Sequence, residues 1–417
     1  MAQTLKFGNG TWATKKGSTL AFNDEDGNYK PLPFATTRAT SATRVNKEGL
    51  IEVVENDRPR IDYTDSAKGA LKLEPSRTNR IQNSEDGSTW ALNNITLSSL
   101  SGGLNKEYYK ITSLGSTSAF STVKNDWINL TAGTYTASVF AKKGTCDQII
   151  LTSRANSTTQ DKYSVFNLTN GTVSSSQVTG SIEPYSDGWY KCSITFTNSG
   201  SYTDFASFAF GFNFNSSSTD TLFVASPQSE IGSYATSYIP TQGSAVTRVA
   251  DTASGSGNSE VFSDSSGVLF VDIAALADDG TNRRIAISDG DNTDRISIGF
   301  TSSNRIQFIV QSNNSIQVNT SITIPEITEN IKVSFKYKAN DCAFWIDGFE
   351  LGTDTIATMP SGLNVFSFDE GNGGSNFYGN TKEIGYYNTV LTDLELETLT
   401  SYRSLSELVT ELNLNTL

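Results

Sequence analysis

The chain has no histidine among its 417 residues, and that absence removes much enzyme chemistry at once. Ser-His-Asp and Cys-His nucleophiles, His-ligated zinc and the HExxH helix are all excluded. Carboxylate chemistry survives, a glycosidase acid/base pair for instance. None of the 44 Asp and Glu residues is singled out by its neighbours, however, so the expectation is a protein without a catalytic residue. Charged residues make up only 18%, below the ~25% usual for globular chains. Lys and Arg never run longer than the pairs Lys15-Lys16, Lys142-Lys143 and Arg283-Arg284, and the net charge is −13. That balance argues against nucleic acid and against an anionic membrane face, both of which need concentrated positive charge. There is no apolar run long enough to span a bilayer, so no membrane insertion is expected. Cys146, Cys192 and Cys342 are scattered and odd in number, which reads as small buried apolar residues in a chain made in the cytosol. The opening residues Met1–Gly8 lack a signal-peptide apolar core and carry the same expectation.

What is abundant is Ser, Thr, Asn, Gly and aromatic side chains, with 23 Phe and 16 Tyr to build cores. Hydroxyl and amide residues favour strands and turns over helices. Period-two alternation is clear in Thr134–Phe140, in Tyr190, Cys192, Ile194 and Phe196, and in Phe208, Phe210, Phe212 and Phe214. It recurs in Val268–Ile273, Arg284–Ser288, Arg295–Phe300, Arg305–Val310 and Ile331–Tyr337, and Cys342–Leu351 reads as a hairpin around Asp347-Gly348. The fold class is therefore all-β: two antiparallel jelly-roll sandwiches in tandem behind a short-strand N-terminal segment, with a short C-terminal helix. The expected boundaries are 1–82 for that segment, 83–240 for the first sandwich, 241–258 for a Gly/Ser-rich linker, 259–403 for the second sandwich and 404–417 for the helix. Thr392–Glu395 and Ser404–Glu407 each have the form of a capping box. Residues 1–82 have too few apolar side chains for a large core and are expected to pack on something else. Within the linker, Ser244–Val249 echoes Ser41–Val45, either by chance or because both make a similar edge contact.

Two resemblances follow from particular residues. Lys332–Tyr337 with Trp345–Gly348, then Glu383–Asn388 with Leu391–Glu395, resemble the laminin-G-like, concanavalin A-type jelly roll over roughly 260–403. Arg38–Asn46, Gly49–Glu52, Pro59–Tyr63 and Leu73–Asn79 look like a segment common in structural proteins of tailed bacteriophages. There it precedes a carbohydrate-binding-module-like sandwich that carries Asp187–Tyr190 and ends in Tyr234–Thr241, and the pieces occur here in that order. Arg80–Asn83 and Glu85–Trp90 match only loosely. The resemblance implies a virion fibre, a head or tail appendage made in the host bacterial cytoplasm. It further implies a homotrimer, contact with a capsid or tail protein through residues 1–82, and sandwiches that attach to host surface glycans. The competing readings are a secreted or surface lectin, against which the missing signal peptide and odd cysteine count weigh, and a polysaccharide depolymerase.

Glycan binding needs an exposed aromatic face and polar groups for the hydroxyls. Asn372, Asn376, Phe377 and Tyr378, in and beside the glycine-rich loop Glu370–Asn376, are candidates, although Gly and Asn are also ordinary turn residues. Trp345 and Trp189 are further candidates, and both also alternate as core positions would. Asp289, Asp291 and Asp294 place oxygen ligands at a spacing that suits Ca²⁺, without the Gly and terminal Glu of an EF-hand. The same residues serve equally as hairpin chemistry, and no other cofactor is implied.

Overall fold

In the computed structural model, which describes residues 3–411 except 105, 116–120, 129–130, 155–161, 199–205, 213–215, 303 and 403, the alternating segments become antiparallel strands. Strands account for 53% of the described residues and helix for 5%. Among the described residues no helix is long and apolar enough to cross a membrane. The chain divides into two compact units: Met1–Ala39, Val54–Pro75 and Ala250–Leu417 form one, Thr40–Val53 and Ser76–Val249 the other.

The unit holding the C-terminal half is a sandwich. A ten-stranded sheet centred on Ile331–Lys338, Ser266–Ala275 and Gly379–Tyr387 packs on a five-stranded sheet ordered Ser315–Thr323, Arg305–Ser312, Arg295–Thr301, Arg283–Ser288, Val365–Ser367. Alternate residues of each sheet meet in the core, for example Leu269, Val333, Phe335 and Ile384 with Ile287, Ile298, Phe308 and Val310. Phe308, Phe335 and Phe344 form a triangle with ring centroids 5.5, 4.8 and 5.2 Å apart. The Asp347-Gly348 turn has φ of 47° and 87°, the two positive angles that a tight hairpin needs. The helix Asp393–Thr400 begins at a capping box formed by Thr392 and Glu395, and Leu405–Glu411 follows it, with Ser404 Oγ accepting from the Glu407 amide.

Residues 1–82 depart from expectation. Leu5–Gly8 and Ala70–Leu73 both pair with Gly379–Tyr387. Leu5, Phe7, Phe34, Ile61, Leu71 and Leu73 lie in the same core as the C-terminal strands. The segment has too few apolar side chains for a core of its own, and it completes a core supplied mainly from residues 250 onward. The remainder of 1–82 belongs to the other unit. The linker 241–258 is also structured: Val246–Arg248 pairs with Arg77–Asn79, and Thr252–Ser254 with Phe34–Thr37. Backbone ladders need no apolar period, so these two pairings leave no mark in the residue pattern. Its echo, Ala42–Val45, pairs with Ile51–Val54, so the two similar stretches sit in different sheets.

Buried charge holds the first unit together. Arg60 is fully buried between Glu74, at 2.6 Å, and Asp251, with which it forms a short contact. Arg38 donates to Asp251 at 2.9 Å and to the carbonyls of Glu55 and Arg58. Burial alone would lower the Arg60 pKa, and the two carboxylates outweigh it, so the group is held above its usual value.

The second unit packs a six-stranded sheet that includes Ser121–Ile128, Ala206–Phe212 and Gln148–Arg154 against another that includes Thr221–Ile231, Gly133–Lys143 and Trp189–Asn198. Cys192, Ile194, Phe196, Phe210 and Phe212 face this core as the alternation predicts. Phe214 and Leu412 lie outside the described residues. Cys192 and Cys342 are buried and burial raises both thiols, Cys342 to about 11, whereas Cys146 is only half-buried.

Candidate functional site

Alternation that turns Ile285, Ile287, Ile296, Ile298, Phe308 and Val310 of the five-stranded sheet into the core leaves the opposite face to the residues between them. The register places Arg284 beside Gly299 and Gln307, then Ala286 beside Ser297, Ile309 and Asn319, then Ser288 beside Arg295 and Gln311. The result is a row of small and polar side chains crossed by two arginines.

Arg284 and Arg295 are each 6% exposed. Arg284 Nη2 makes a short hydrogen bond to Gln307 Oε1, whose Nε2 in turn donates to Asn319 Oδ1. Arg295 Nη1 donates to the Asn292 carbonyl at 2.8 Å. Three atoms of this polar set, Arg284 Nη1, Arg295 Nε and Ser297 Oγ, are buried with no hydrogen-bond partner among the described residues. Such orphaned groups cost about 1–3 kcal/mol each when nothing pairs with them, and more when charged. No ion pair joins either guanidinium to a carboxylate among the described residues. Burial lowers the Arg284 pKa to about 10, the charge of Arg295 adds to this, and Glu370 opposes it. Burial lowers Arg295 as well, again against Glu370.

The glycine-rich loop forms the wall beside this row. Ser375 O accepts from the Arg284 amide, and Asn376 bridges to Arg284. Gly371, at φ +107°, passes so close that a Cβ there would lie 2.9 Å from Ser288 Cβ and 2.3 Å from the Asp291 carbonyl oxygen. Only glycine allows both that conformation and that approach. Glu370 Oε2 accepts from Ser375 Oγ at 3.1 Å.

Of the residues expected to bind glycan, Asn376 and the exposed Asn372 are in this wall. Each makes a local bond, Asn372 Oδ1 accepting from Gly374 N at 2.9 Å and Asn376 Nδ2 donating to Gly373 O at 3.1 Å. Tyr378 is half-buried against the core. Three aromatic candidates are corrected, because a ring must be open to stack on a sugar. Phe377 is 1% exposed, with rings of Phe300 and Phe368 at 6.1 and 6.2 Å. Trp345 packs with Leu391 and Leu396 beneath the helix, and Trp189 packs edge-on to Tyr108. The three aspartates expected to suit Ca²⁺ are engaged with loop donors. Among the described residues no group of three His, Cys, Asp or Glu side chains is arranged to hold a metal. Asp289 accepts from the Asp291 amide and Thr293 hydroxyl, Asp291 from the Asn292 amide, and Asp294 from the amides of Asn313 and Ser361. These carboxylates tie loops. Arg284, Arg295, Gln307 and Asn319 were missed as site residues. The signal was present in Arg284-Ile-Ala-Ile-Ser and Arg295-Ile-Ser-Ile-Gly, where each arginine falls on the non-core phase of its strand.

No family model and no curated protein matches the sequence. Solved structures similar to it include a carbohydrate-binding module, CBM40, of the Ruminococcus gnavus IT-sialidase, at 15% identity over 36% of this chain and 94% of that one, with a TM-score of 0.29. The LG4-5 domains of the mouse laminin alpha1 chain are similar at 8% identity over 79% of this chain and 92% of that one, TM-score 0.24. A heptameric SAP-like pentraxin from Limulus polyphemus is similar at 14% identity over 34% and 71%, TM-score 0.26.

Proposed function

We propose that this chain is a non-catalytic, glycan-binding fibre protein of a bacteriophage virion, a head or tail appendage that contacts host surface sugars through the five-stranded sheet. The observation that carries the binding reading is the set of buried, unpartnered donors on that sheet, set beside an exposed Asn319 and a polar loop. A core face has no use for such donors, whereas a ligand rich in hydroxyl and oxyanion acceptors satisfies them. The virion reading rests on the resemblance carried by Arg38–Asn46, Pro59–Tyr63, Leu73–Asn79 and Tyr234–Thr241, with attachment through residues 1–82. The absence of histidine supports the non-catalytic part.

A glycan array probed with the purified chain tests binding, and incubation with the polysaccharide recognised tests catalysis. The expected result is retention of one class of bacterial surface glycan and no reducing ends released over time. Failure to retain any glycan would sink the binding reading, and accumulating reducing ends would convert the protein into a depolymerase.

A further inference from the structure

The polar face is electrostatically unbalanced, in a way that a neutral sugar does not correct. Two guanidinium groups lie in adjacent strands, both nine-tenths buried or more, and neither has an ion-pair partner among the described residues. Buried charge is costly unless it is paired. The charged group that acts on both arginines is Glu370, whose carboxylate also accepts a hydrogen bond from Ser375, so one negative charge stands against two positive ones. On this face, Arg284 Nη1, Arg295 Nε and Ser297 Oγ have no hydrogen-bond partner among the described residues; they are guanidinium and hydroxyl donors on neighbouring strands. An oxyanion accepts several such bonds at once, and a planar carboxylate matches the guanidinium fork.

The geometry points to an acidic saccharide as the ligand: its carboxylate or sulfate pairs with Arg284 and Arg295, and Gln307 and Asn319 hold neighbouring hydroxyls. This inference rests on the glycan-binding reading of the same face and adds the charge class of the sugar. The row leads inward from exposed Asn319 through half-buried Gln307 to Arg284, which sets the direction of entry. The loop Glu370–Ser375 walls this row, held by its own Asn372–Gly374 and Ser375–Glu370 bonds and by the Arg284 amide on Ser375 O.

The test compares neutral, carboxylated and sulfated glycans on one array, then titrates the best acidic binder against its carboxyl-reduced or desulfated form. Acidic members are expected to dominate, and removal of the charge should weaken binding at least about tenfold, the effect of one charge-assisted hydrogen bond. Arg284→Gln and, separately, Arg295→Gln should each weaken the acidic glycan by a similar factor while thermal unfolding stays near the parent. Arg284→Lys should recover part of the loss, since it keeps the charge without the fork. If one arginine variant does not fold, the other variant and the loss of affinity between low and high salt carry the same decision. Neutral glycans bound as tightly as acidic ones, or affinity unmoved by the arginine variants, would overturn the inference and leave the glycan reading intact. No binding to any glycan would overturn both.

Discussion

At the scale of single residues, the signature positions that made the sequence resemble other proteins turn out to be internal ties. Arg38, Arg60 and Glu74 meet Asp251, which lies 191 positions beyond Arg60. Thr236 and Tyr238 of the Tyr234–Thr241 stretch bind Glu230 and Glu85, and Thr241 binds Ser84. Their chemistry is that of buried polar groups brought into register, for which partners far along the chain are required. Asp251→Ala therefore removes the partner of two buried arginines at once. The expected loss is about 3–5 kcal/mol, the usual result of breaking a buried pair, read as a lowered midpoint in urea unfolding of the whole chain. An unchanged midpoint would show that the pair contributes specificity and no net stability.

At the scale of elements, local rules served well where an element is defined by neighbours in sequence. The capping box at Thr392 was legible because its four residues are contiguous, and so was the Asp347-Gly348 hairpin. Thr392→Ala should cost about 0.5–2 kcal/mol and speed hydrogen exchange at the amides of Leu396 to Thr400, which Thr392 and the helix hold over Trp345. The Glu395 carboxyl is lowered by its hydrogen bonds from the Thr392 backbone and side chain. A depressed carboxyl stabilises above its unfolded value, so the same amides should lose protection as pH falls through the lowered one. Protection that rises on acidification would contradict the box. Strands were legible wherever one face is apolar, but short polar strands such as Thr252–Ser254 were not, because their pairing is decided by the partner ladder.

At the scale of the whole molecule, the proposed fibre predicts assembly. Light scattering on the purified chain should give three times its 45.1 kDa mass, as the trimer implied by the fibre resemblance requires, and a stable monomer would count heavily against the fibre reading. The polar row of the candidate site shows how far the sequence reaches. Period-two alternation alone set the class of fold, the core faces of most strands and the phase that sends Arg284 and Arg295 away from the core. The absence of histidine in turn excluded histidine chemistry outright. Tertiary structure decided the rest. It folded residues 5–8 and 70–73 onto the strand Gly379–Tyr387, buried Trp189, Trp345 and Phe377, and set Asp289, Asp291 and Asp294 to capping loops. It also laid the glycine-rich loop beside the strand of Arg284, from which it is far in sequence. The reason is physical: alternation is a property of consecutive residues, whereas burial and charge pairing depend on what distant strands bring to the other side.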